Sequence, residues 1–178
     1  MLDTPFPSWP SFTAEEANAI RDTLLSNRVN YWTGHECRHF ESEFAVFSQT
    51  RHAVALANGT LALDAALSAL NIGPGDEVIV TSRTFLASVS SIVQVGATPV
   101  FADVCPNSQN ICPCTVRPVL TRKTKAILCV HLAGWPCDMK GLAEIAKSEN
   151  LYLIEDCAQA HGAMRDGQAV GSFGDISA

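Results

Sequence analysis

The sequence predicts an α/β fold in which a mostly parallel sheet carries helices on both faces, giving three layers. From residue 53 onward, short apolar segments alternate with amphipathic stretches, which is typical of βα units around a sheet buried on both sides. In addition, 47% of the 178 residues are hydrophobic and 17% are charged, so the chain can bury a core and is not expected to be disordered.

Five apolar segments are predicted to be the strands, at 53–57, 77–81, 98–102, 125–130 and 151–155. The helices predicted between them lie at 61–70, 85–95, 115–120 and 139–148. Asp138 precedes the last helix and is a suitable N-cap, whereas Pro118 disfavours the third. Asp166 and Gly167 lie between two short apolar pairs and predict a small hairpin.

Residues 1–52 are predicted to be a helical segment that precedes this sheet domain, which occupies 53–178. Thr13 and Glu16 have the spacing of a capping box, and apolar residues then recur at helical spacing, so a helix is predicted over 14–26. A second helix is predicted from an apolar face that we expect to belong to the core; this face consists of Cys37, Phe40, Phe44 and Phe47.

Charge and the N-terminus restrict the classes of partner. The net charge is −6, and the densest basic cluster is only Arg122, Lys123 and Lys125, so nucleic acid is not an expected partner. No segment has the length and apolarity of a membrane span, and the first residues lack the positive and apolar regions of a signal peptide. We therefore expect a cytoplasmic protein without membrane contact, whose seven cysteines are free thiols.

The candidate site residues follow the predicted strands, because ligands of open parallel sheets bind beyond the carboxyl ends of the strands. Gly59 and Thr60 open a helix, where they either bind an anion such as phosphate or cap a tight turn. Phe85 either covers the face of a planar ligand or belongs to the core. Asp156, with Gln159 close behind it, either pairs with a cationic ring nitrogen or caps the next turn.

Other chemical motifs are absent or weak. Neither a GxGxxG after the first strand nor a GxxxxGK[ST] is present, so dinucleotide and P-loop sites are not supported. Three cysteines, Cys105, Cys112 and Cys114, crowd one predicted loop, but without CxxC pairs or a matching His pair they do not predict zinc. Cys157 and His161 would act as nucleophile and base only if a helix aligned them. No metal site is predicted.

Several collinear segments resemble the nucleotide-sugar aminotransferases of the DegT/StrS family. The segments cover nearly the whole chain and are ANGTLAL at 57–63, GPGDEVIV at 73–80, TFLAS at 84–88, GATPVFADV at 96–104, TKAI at 124–127, VHLAG at 130–134, IEDCAQAHGA at 154–163 and VGSFGDIS at 170–177.

The resemblance implies a pyridoxal-phosphate-dependent aminotransferase of fold type I. Such an enzyme transfers an amino group from glutamate to a keto-sugar carried by a nucleoside diphosphate, in polysaccharide, lipopolysaccharide or glycoside biosynthesis. The resemblance implies that Gly59 and Thr60 hold the cofactor phosphate, that Phe85 stacks on the pyridine ring and that Asp156 pairs with the protonated ring nitrogen. Gln159 would lie against the ring and its hydroxyl. The full-length enzyme would be a homodimer.

The resemblance also implies that part of such an enzyme is not in this sequence. The family's Schiff-base lysine would lie beyond Ala178, followed by further strands and a small C-terminal domain, so residues 53–178 would be an incomplete large domain. The four lysines present are not expected to substitute, because they lie at the amino end of a strand or on the solvent side of a helix. No catalytic residue is therefore predicted here, and a non-catalytic remnant that binds cofactor or sugar nucleotide is the alternative function.

Overall fold

The computed structural model describes residue 8 and residues 10–178 and confirms the predicted α/β class. Residues 1–7 and 9, which begin the predicted helical segment 1–52, lie outside the described residues. The helices are α1 (Ala14–Leu25), α2 (Glu36–Phe47), α3 (Gly59–Ala69), α4 (Ala87–Gln94), α5 (Pro113–Val116) and α6 (Met139–Glu149). The strands are β1 (Glu77–Thr81), β2 (Thr98–Ala102), β3 (Thr124–Val130), β4 (Tyr152–Asp156), β5 (Met164–Arg165), β6 (Gln168–Ala169) and β7 (Ile176–Ser177).

The central sheet contains five parallel strands within residues 10–178, in the order β2-β1-β3-β4-β7. Four of the five predicted strands are thus confirmed, with bounds that agree to within one residue. The predicted hairpin is also present, since β5 and β6 pair antiparallel on either side of Asp166 and Gly167. Because all strands of the central sheet are parallel, their carboxyl ends meet at one edge.

Helices cover both faces of this sheet, which confirms the three-layer arrangement. Val78 and Val80 of β1 belong to an apolar cluster with residues of α3 and α4. Ile79, between them, belongs to a second cluster with residues of α5 and α6. Since neighbouring side chains of a strand point to opposite faces, β1 is buried on both sides, as its continuous apolar sequence predicts.

Local sequence signals account for several helix ends. Thr13 and Glu16 form the predicted capping box, in which each residue's side chain accepts a hydrogen bond from the other's backbone N–H. Asp138 caps α6 by accepting from the N–H of Gly141 at 3.4 Å. The predicted helix at 115–120 is instead the short α5 followed by a 3-10 turn at Arg117–Val119, because Pro118 lacks the N–H that an α-helix needs.

The strand predicted at 53–57 is wrong. These residues have no regular secondary structure, and among the described residues they pair with no strand of the sheet. Val54 and Leu56 alternate with less exposed alanines as in a strand, yet they are 75% and 47% exposed. A strand needs a hydrogen-bonded neighbour, and the alternating pattern alone does not show whether the chain supplies one.

The apolar face of α2 is buried less than predicted. Phe44 contacts Phe40, Phe47 and His161, but Phe40 and Phe47 are themselves more than half exposed. Helix α1 has no buried residue at all, within the described part of the chain. Both helices therefore present apolar side chains at the surface. Among the helices that the structure describes, none combines the length and hydropathy needed to cross a membrane.

Candidate active site

A cavity of about 210 Å³ lies beyond the carboxyl ends of β1, β3 and β4, and all five predicted site residues line it. Its walls are formed by Gly59, Thr60, Leu63, Thr84, Phe85, Ala87, Val130, Asp156, Ala158, Gln159 and Ala178. The parallel topology explains this convergence, since it places the segments that follow the three strands at one edge.

The N-terminus of α3 forms one wall and offers free hydrogen-bond donors. The side chain of the N-cap residue Asn58 accepts from the N–H of Leu61 at 3.0 Å, and its carbonyl accepts from the N–H of Ala62. The N–H groups of Gly59 and Thr60 donate to no group among residues 10–178. Unpaired N–H groups at the positive end of a helix dipole are suited to an anion such as a phosphate.

Phe85 forms the open rim of the cavity. Helix α4 begins at Ala87, two residues later than predicted, so Phe85 belongs to the loop after β1. Its side chain is 72% exposed, and the alternative that Phe85 is a core residue is therefore wrong. An exposed aromatic face at a cavity mouth is available to stack on a planar ligand.

Asp156 ends β4 at the cavity floor and is only 6% exposed. One carboxylate oxygen accepts from the hydroxyl of Ser88 at 2.7 Å, and the other accepts from the N–H of Ala158 at 3.2 Å. Ser88 also shares a 2.7 Å hydrogen bond with Thr84, so the two hydroxyls form a chain that ends at Asp156. Asp156 does hold the next turn, as one alternative predicted, but it also keeps acceptor capacity toward the cavity.

Gln159 is oriented by the loop after β3. Its amide oxygen accepts from the N–H of Ala133 at 2.7 Å, which leaves the NH₂ group as the free donor. Ala133 and Gly134 both have positive φ, at 53° and 80°, and this conformation turns the N–H of Ala133 toward Gln159. Sequence reasoning predicted Gln159 but did not predict the partner that fixes its orientation.

Glu155, next to Asp156 on β4, is fully buried and held on the opposite side of the strand. Its oxygens accept from the N–H groups of Gly171, Phe173 and Gly174 at 2.7 to 2.9 Å and contact Nε2 of His131 at 3.0 Å. Burial opposes ionisation of Glu155, but the hydrogen bonds from His131, Gly171 and Gly174 outweigh it, so its pKa lies below the ordinary value of 4.5.

The same region contains three residue types that bind metals, but the donor atoms of two of them, His131 and Glu155, already take part in hydrogen bonds. His131, Glu155 and Cys157 place one potential ligand atom each within 4.8 Å of the others. Nδ1 of His131 accepts from the N–H of Cys137 at 3.0 Å, so the ring proton lies on Nε2 and faces Glu155. A metal ion would have to displace these hydrogen bonds, and the geometry favours a structural role.

The alternative in which Cys157 is a nucleophile activated by His161 does not fit the structure. Cys157 is buried, and this burial raises the pKa of its thiol. The ring of His161 packs edge-on against Phe44, with 5.8 Å between the ring centroids. Residues 157–161 form turns and not a helix, so the spacing of four residues does not align the two side chains.

The four lysines lie away from the cavity, as predicted. Lys123 and Lys125 lie at the amino end of β3, and Lys140 and Lys147 belong to α6; all four are exposed. None of them is among the residues that line the cavity. The described residues therefore bring together acceptors, N–H donors and an aromatic ring, without an amine.

Comparisons with known proteins agree with this geometry. A family model described as the DegT/DnrJ/EryC1/StrS aminotransferase family matches residues 10–178. The GDP-perosamine synthase of Escherichia coli O157:H7 is 45% identical over 168 residues, which are 94% of this chain and 46% of that protein. The chain thus spans less than half the length of this curated relative.

Two solved structures share the fold. An aminotransferase from Psychrobacter cryohalolentis matches with a TM-score of 0.95 and 62% identity, over 97% of this chain and 44% of that one. Spr1654 from Streptococcus pneumoniae, described as a sugar aminotransferase in its PLP-form, matches with a TM-score of 0.85 and 34% identity, over 94% of this chain and 46% of that one. The similarity extends over both α1–α2 and the sheet.

Proposed function

The chain belongs to the DegT/DnrJ/EryC1/StrS aminotransferase family, and we propose that it forms the cofactor-binding part of a pyridoxal-phosphate-dependent aminotransferase. The substrate of the whole enzyme would be a nucleotide-linked keto-sugar, and glutamate would be the amino donor. The convergence of Gly59, Thr60, Phe85, Asp156 and Gln159 on one cavity is the observation that carries this proposal. In domain terms, residues 53–178 would be an incomplete large domain, preceded by the helical segment 1–52.

The residues present fit pyridoxal phosphate by their chemistry. The free N–H groups of Gly59 and Thr60 suit its phosphate, and the exposed ring of Phe85 suits its planar pyridine. The carboxylate of Asp156, with its open acceptor capacity, suits a protonated ring nitrogen. Spr1654, whose solved structure is described as a PLP-form, has the same fold over this region.

In the proposed mechanism, each of these residues binds or orients. When bound, pyridoxal phosphate supplies an electron sink for the carbanion formed during transamination. Asp156 would hold a proton on the ring nitrogen, because a carboxylate next to that nitrogen favours its cationic form. Ser88 orients Asp156 through its hydroxyl, and Ala133 fixes the side chain of Gln159, whose NH₂ group would donate to the cofactor.

A second function, binding without chemistry, is favoured for this chain by the position of its lysines. Transamination requires an amine next to the cofactor's aldehyde, and the described cavity is lined by no lysine. The contacts to phosphate, ring and ring nitrogen do not use a lysine. We therefore propose that the chain by itself binds the cofactor reversibly and does not turn over.

Equilibrium dialysis of purified chain against pyridoxal phosphate tests the cofactor site. We expect saturable binding that Phe85→Ala weakens, and that Asp166→Asn, in the exposed hairpin turn, leaves unchanged. Equal binding by the Phe85→Ala variant would contradict the site. Borohydride treatment should leave no cofactor covalently attached, and glutamate should give no 2-oxoglutarate above the rate with free cofactor; covalent attachment would show that one of the four lysines serves.

We further propose that the full-length protein is a cytoplasmic homodimer. All seven cysteines are free thiols in the structure, which is typical of a reducing compartment. Apolar residues of α1 are exposed, and Trp32 nearby is 85% exposed, so this surface is suited to a protein contact. Static light scattering should show self-association of the chain with rising concentration. A single monomeric mass at high concentration would count against this.

A further inference from the structure

Three thiols lie together outside the cavity, at the start of α5 and in the loop that precedes it. Cys112 and Cys114 flank Pro113, and their sulfur atoms are 2.6 Å apart. Cys105 lies at the other end of this loop, where its N–H donates to the carbonyl of Asn110, two residues before Cys112, at 2.9 Å. All three are free, and none lines the candidate active site. The proposed aminotransferase function uses none of them.

The turn that begins at Cys105 stabilises a thiolate. The N–H of Cys105 donates to the carbonyl of Asn110 at 2.9 Å, and the N–H of Gln109 donates to the carbonyl of Cys105 at 2.8 Å. The backbone of Ser108 and Asn107, which lie inside this turn, favours the anionic sulfur of Cys105 and lowers the pKa of its thiol. A thiolate is the reactive form of cysteine, so Cys105 is the nucleophile of the group.

Cys114 differs from Cys105 in a way that suits sulfur exchange. The hydrogen bond with Cys112 raises the pKa of Cys114 above its ordinary value. In an exchange reaction, the thiol of lower pKa is the better leaving group, and here that is Cys105. Access is also suitable, because Cys114 is exposed and Cys105 and Cys112 are partly exposed, whereas Cys129, Cys137 and Cys157 are buried.

The spacing of the sulfur atoms favours a disulfide over a zinc ion. Two thiolates on tetrahedral zinc are roughly 3.8 Å apart, as follows from zinc–sulfur bonds of about 2.3 Å. A disulfide bond is about 2.05 Å long. The separation of 2.6 Å between Cys112 and Cys114 lies much nearer to the second value and leaves no room for a shared ion.

We propose that Cys105, Cys112 and Cys114 form a peroxide-sensitive thiol site, in which Cys105 is oxidised first and the Cys112–Cys114 disulfide is the product. In a reducing compartment, such disulfides are transient and serve redox sensing or catalysis. The oxidant is a hydroperoxide, with hydrogen peroxide as the simplest member of the class.

The reaction balances in three steps. The Cys105 thiolate attacks one peroxide oxygen, the O–O bond breaks, and hydroxide leaves and takes up a proton to become water, which gives a sulfenic acid. Cys112 then attacks the Cys105 sulfur, the S–O bond breaks, a second water leaves, and a disulfide forms. Finally, Cys114 attacks the Cys112 sulfur and displaces Cys105 as its thiolate. Two thiols lose two electrons and two protons, and one peroxide becomes two waters.

Timed oxidation of the reduced chain with hydrogen peroxide tests this proposal, with maleimide labelling and peptide mass spectrometry as the readout. We expect rapid loss of labelling at Cys112 and Cys114 together, as a linked pair that reductant restores. Cys37, an exposed cysteine of α2, should stay labelled and is the internal control. The Cys105→Ser variant should form the pair at least about tenfold more slowly, because the stabilised thiolate is gone.

Two further variants identify the order of events. Cys114→Ser should stop the reaction at a Cys105–Cys112 disulfide, and Cys112→Ser should leave a sulfenic acid at Cys105 that dimedone labels. Cys37→Ser should behave as the unmodified chain. Oxidation of Cys37 at the rate of the other three, or an unchanged rate in Cys105→Ser, would overturn the proposal. So would a stoichiometric zinc ion in the isolated chain that is lost in Cys112→Ser.

Discussion

Two neighbouring carboxylates on β4 have opposite environments. Glu155 is fully buried, and its oxygens take four hydrogen bonds, three of them from backbone N–H groups. Asp156 takes two, one from the hydroxyl of Ser88 and one from the N–H of Ala158, and it faces the cavity. Because successive residues of a strand point to opposite faces, one strand supplies both environments.

The difference shows which carboxylate stabilises the fold and which one is available to bind a ligand. The donors around Glu155 come from the segment 171–174, which leads into β7, so Glu155 fastens this segment to the sheet. Backbone N–H groups have fixed positions and can only donate, whereas a hydroxyl such as that of Ser88 can rotate to donate or accept. The site of Asp156 therefore tolerates replacement of the carboxylate by an amide, whereas the site of Glu155 does not.

The largest effect is expected for Glu155→Gln. In either orientation of a glutamine amide, its NH₂ group faces two donors and leaves them unpaired. These donors are Gly171 N–H and His131 Nε2–H at one oxygen position, and Phe173 N–H and Gly174 N–H at the other. We expect the free energy of unfolding to fall by about 3 kcal/mol, because buried donors lose their acceptor at roughly 1 to 3 kcal/mol each. Urea unfolding followed by circular dichroism measures this. Glu144→Gln, exposed on α6, is the matched control and should change stability by less than about 0.5 kcal/mol.

The pH dependence of stability should come partly from Glu155. Its pKa in the folded chain lies below the ordinary 4.5, so as the pH falls the unfolded chain binds a proton first. The stabilisation is therefore fully present above pH 4.5 and is lost as the pH falls through the lower folded pKa. The urea concentration at the midpoint of unfolding should fall less steeply from neutral to acidic pH for Glu155→Gln than for Glu144→Gln. Parallel declines would mean that Glu155 is not ionised in the fold.

Asp156→Asn should lower cofactor affinity strongly and stability only slightly, unlike Glu155→Gln. The asparagine oxygen can still accept from Ala158, and its NH₂ group can donate to the rotated hydroxyl of Ser88, so stability should change by less than about 1 kcal/mol. Affinity for pyridoxal phosphate should fall at least about tenfold, because the charge that holds a proton on the ring nitrogen is removed. Dialysis measures this, with Cys37→Ser as the control. In a catalytically complete protein, the same change should impair turnover far more than loss of a surface cysteine.

The comparison of Glu155 and Asp156 also shows how far sequence reasoning reaches. The strand that ends in these two residues was predicted from its apolar run, and parallel topology then brings Asp156 to the edge shared by Gly59 and Phe85. The sequence does not show which of two adjacent carboxylates turns toward the cavity, because that depends on the pleat of the strand. The partners of Glu155 lie in a segment after the hairpin, which no local pattern connects to β4.

Two errors in the predicted fold have a related cause. The segment 53–57 has the alternation of a strand, and α2 has the apolar face of a core helix. Among residues 10–178, however, the segment has no partner strand and the face of α2 is covered only in part. Periodicity reports which face a residue would bury, and not whether a partner is present. Ser88 was missed for a different reason: a small hydroxyl inside a helix carries no signal by itself. Its spacing of four residues from Thr84 is the only hint.

The smallest effect on cofactor affinity, and the sharpest test of how Asp156 is oriented, is expected for Ser88→Ala. The hydroxyl of Ser88 is fully buried between Thr84 and Asp156, and its loss leaves one acceptor of Asp156 unpaired. We expect a loss of about 1 kcal/mol in stability, as for a typical buried hydrogen bond. Affinity for pyridoxal phosphate should fall only a few-fold, because the charge of Asp156 remains, and Ser88→Thr should restore it if the added methyl group fits. If Ser88→Ala lowered affinity as much as Asp156→Asn does, the hydroxyl would contribute more than orientation.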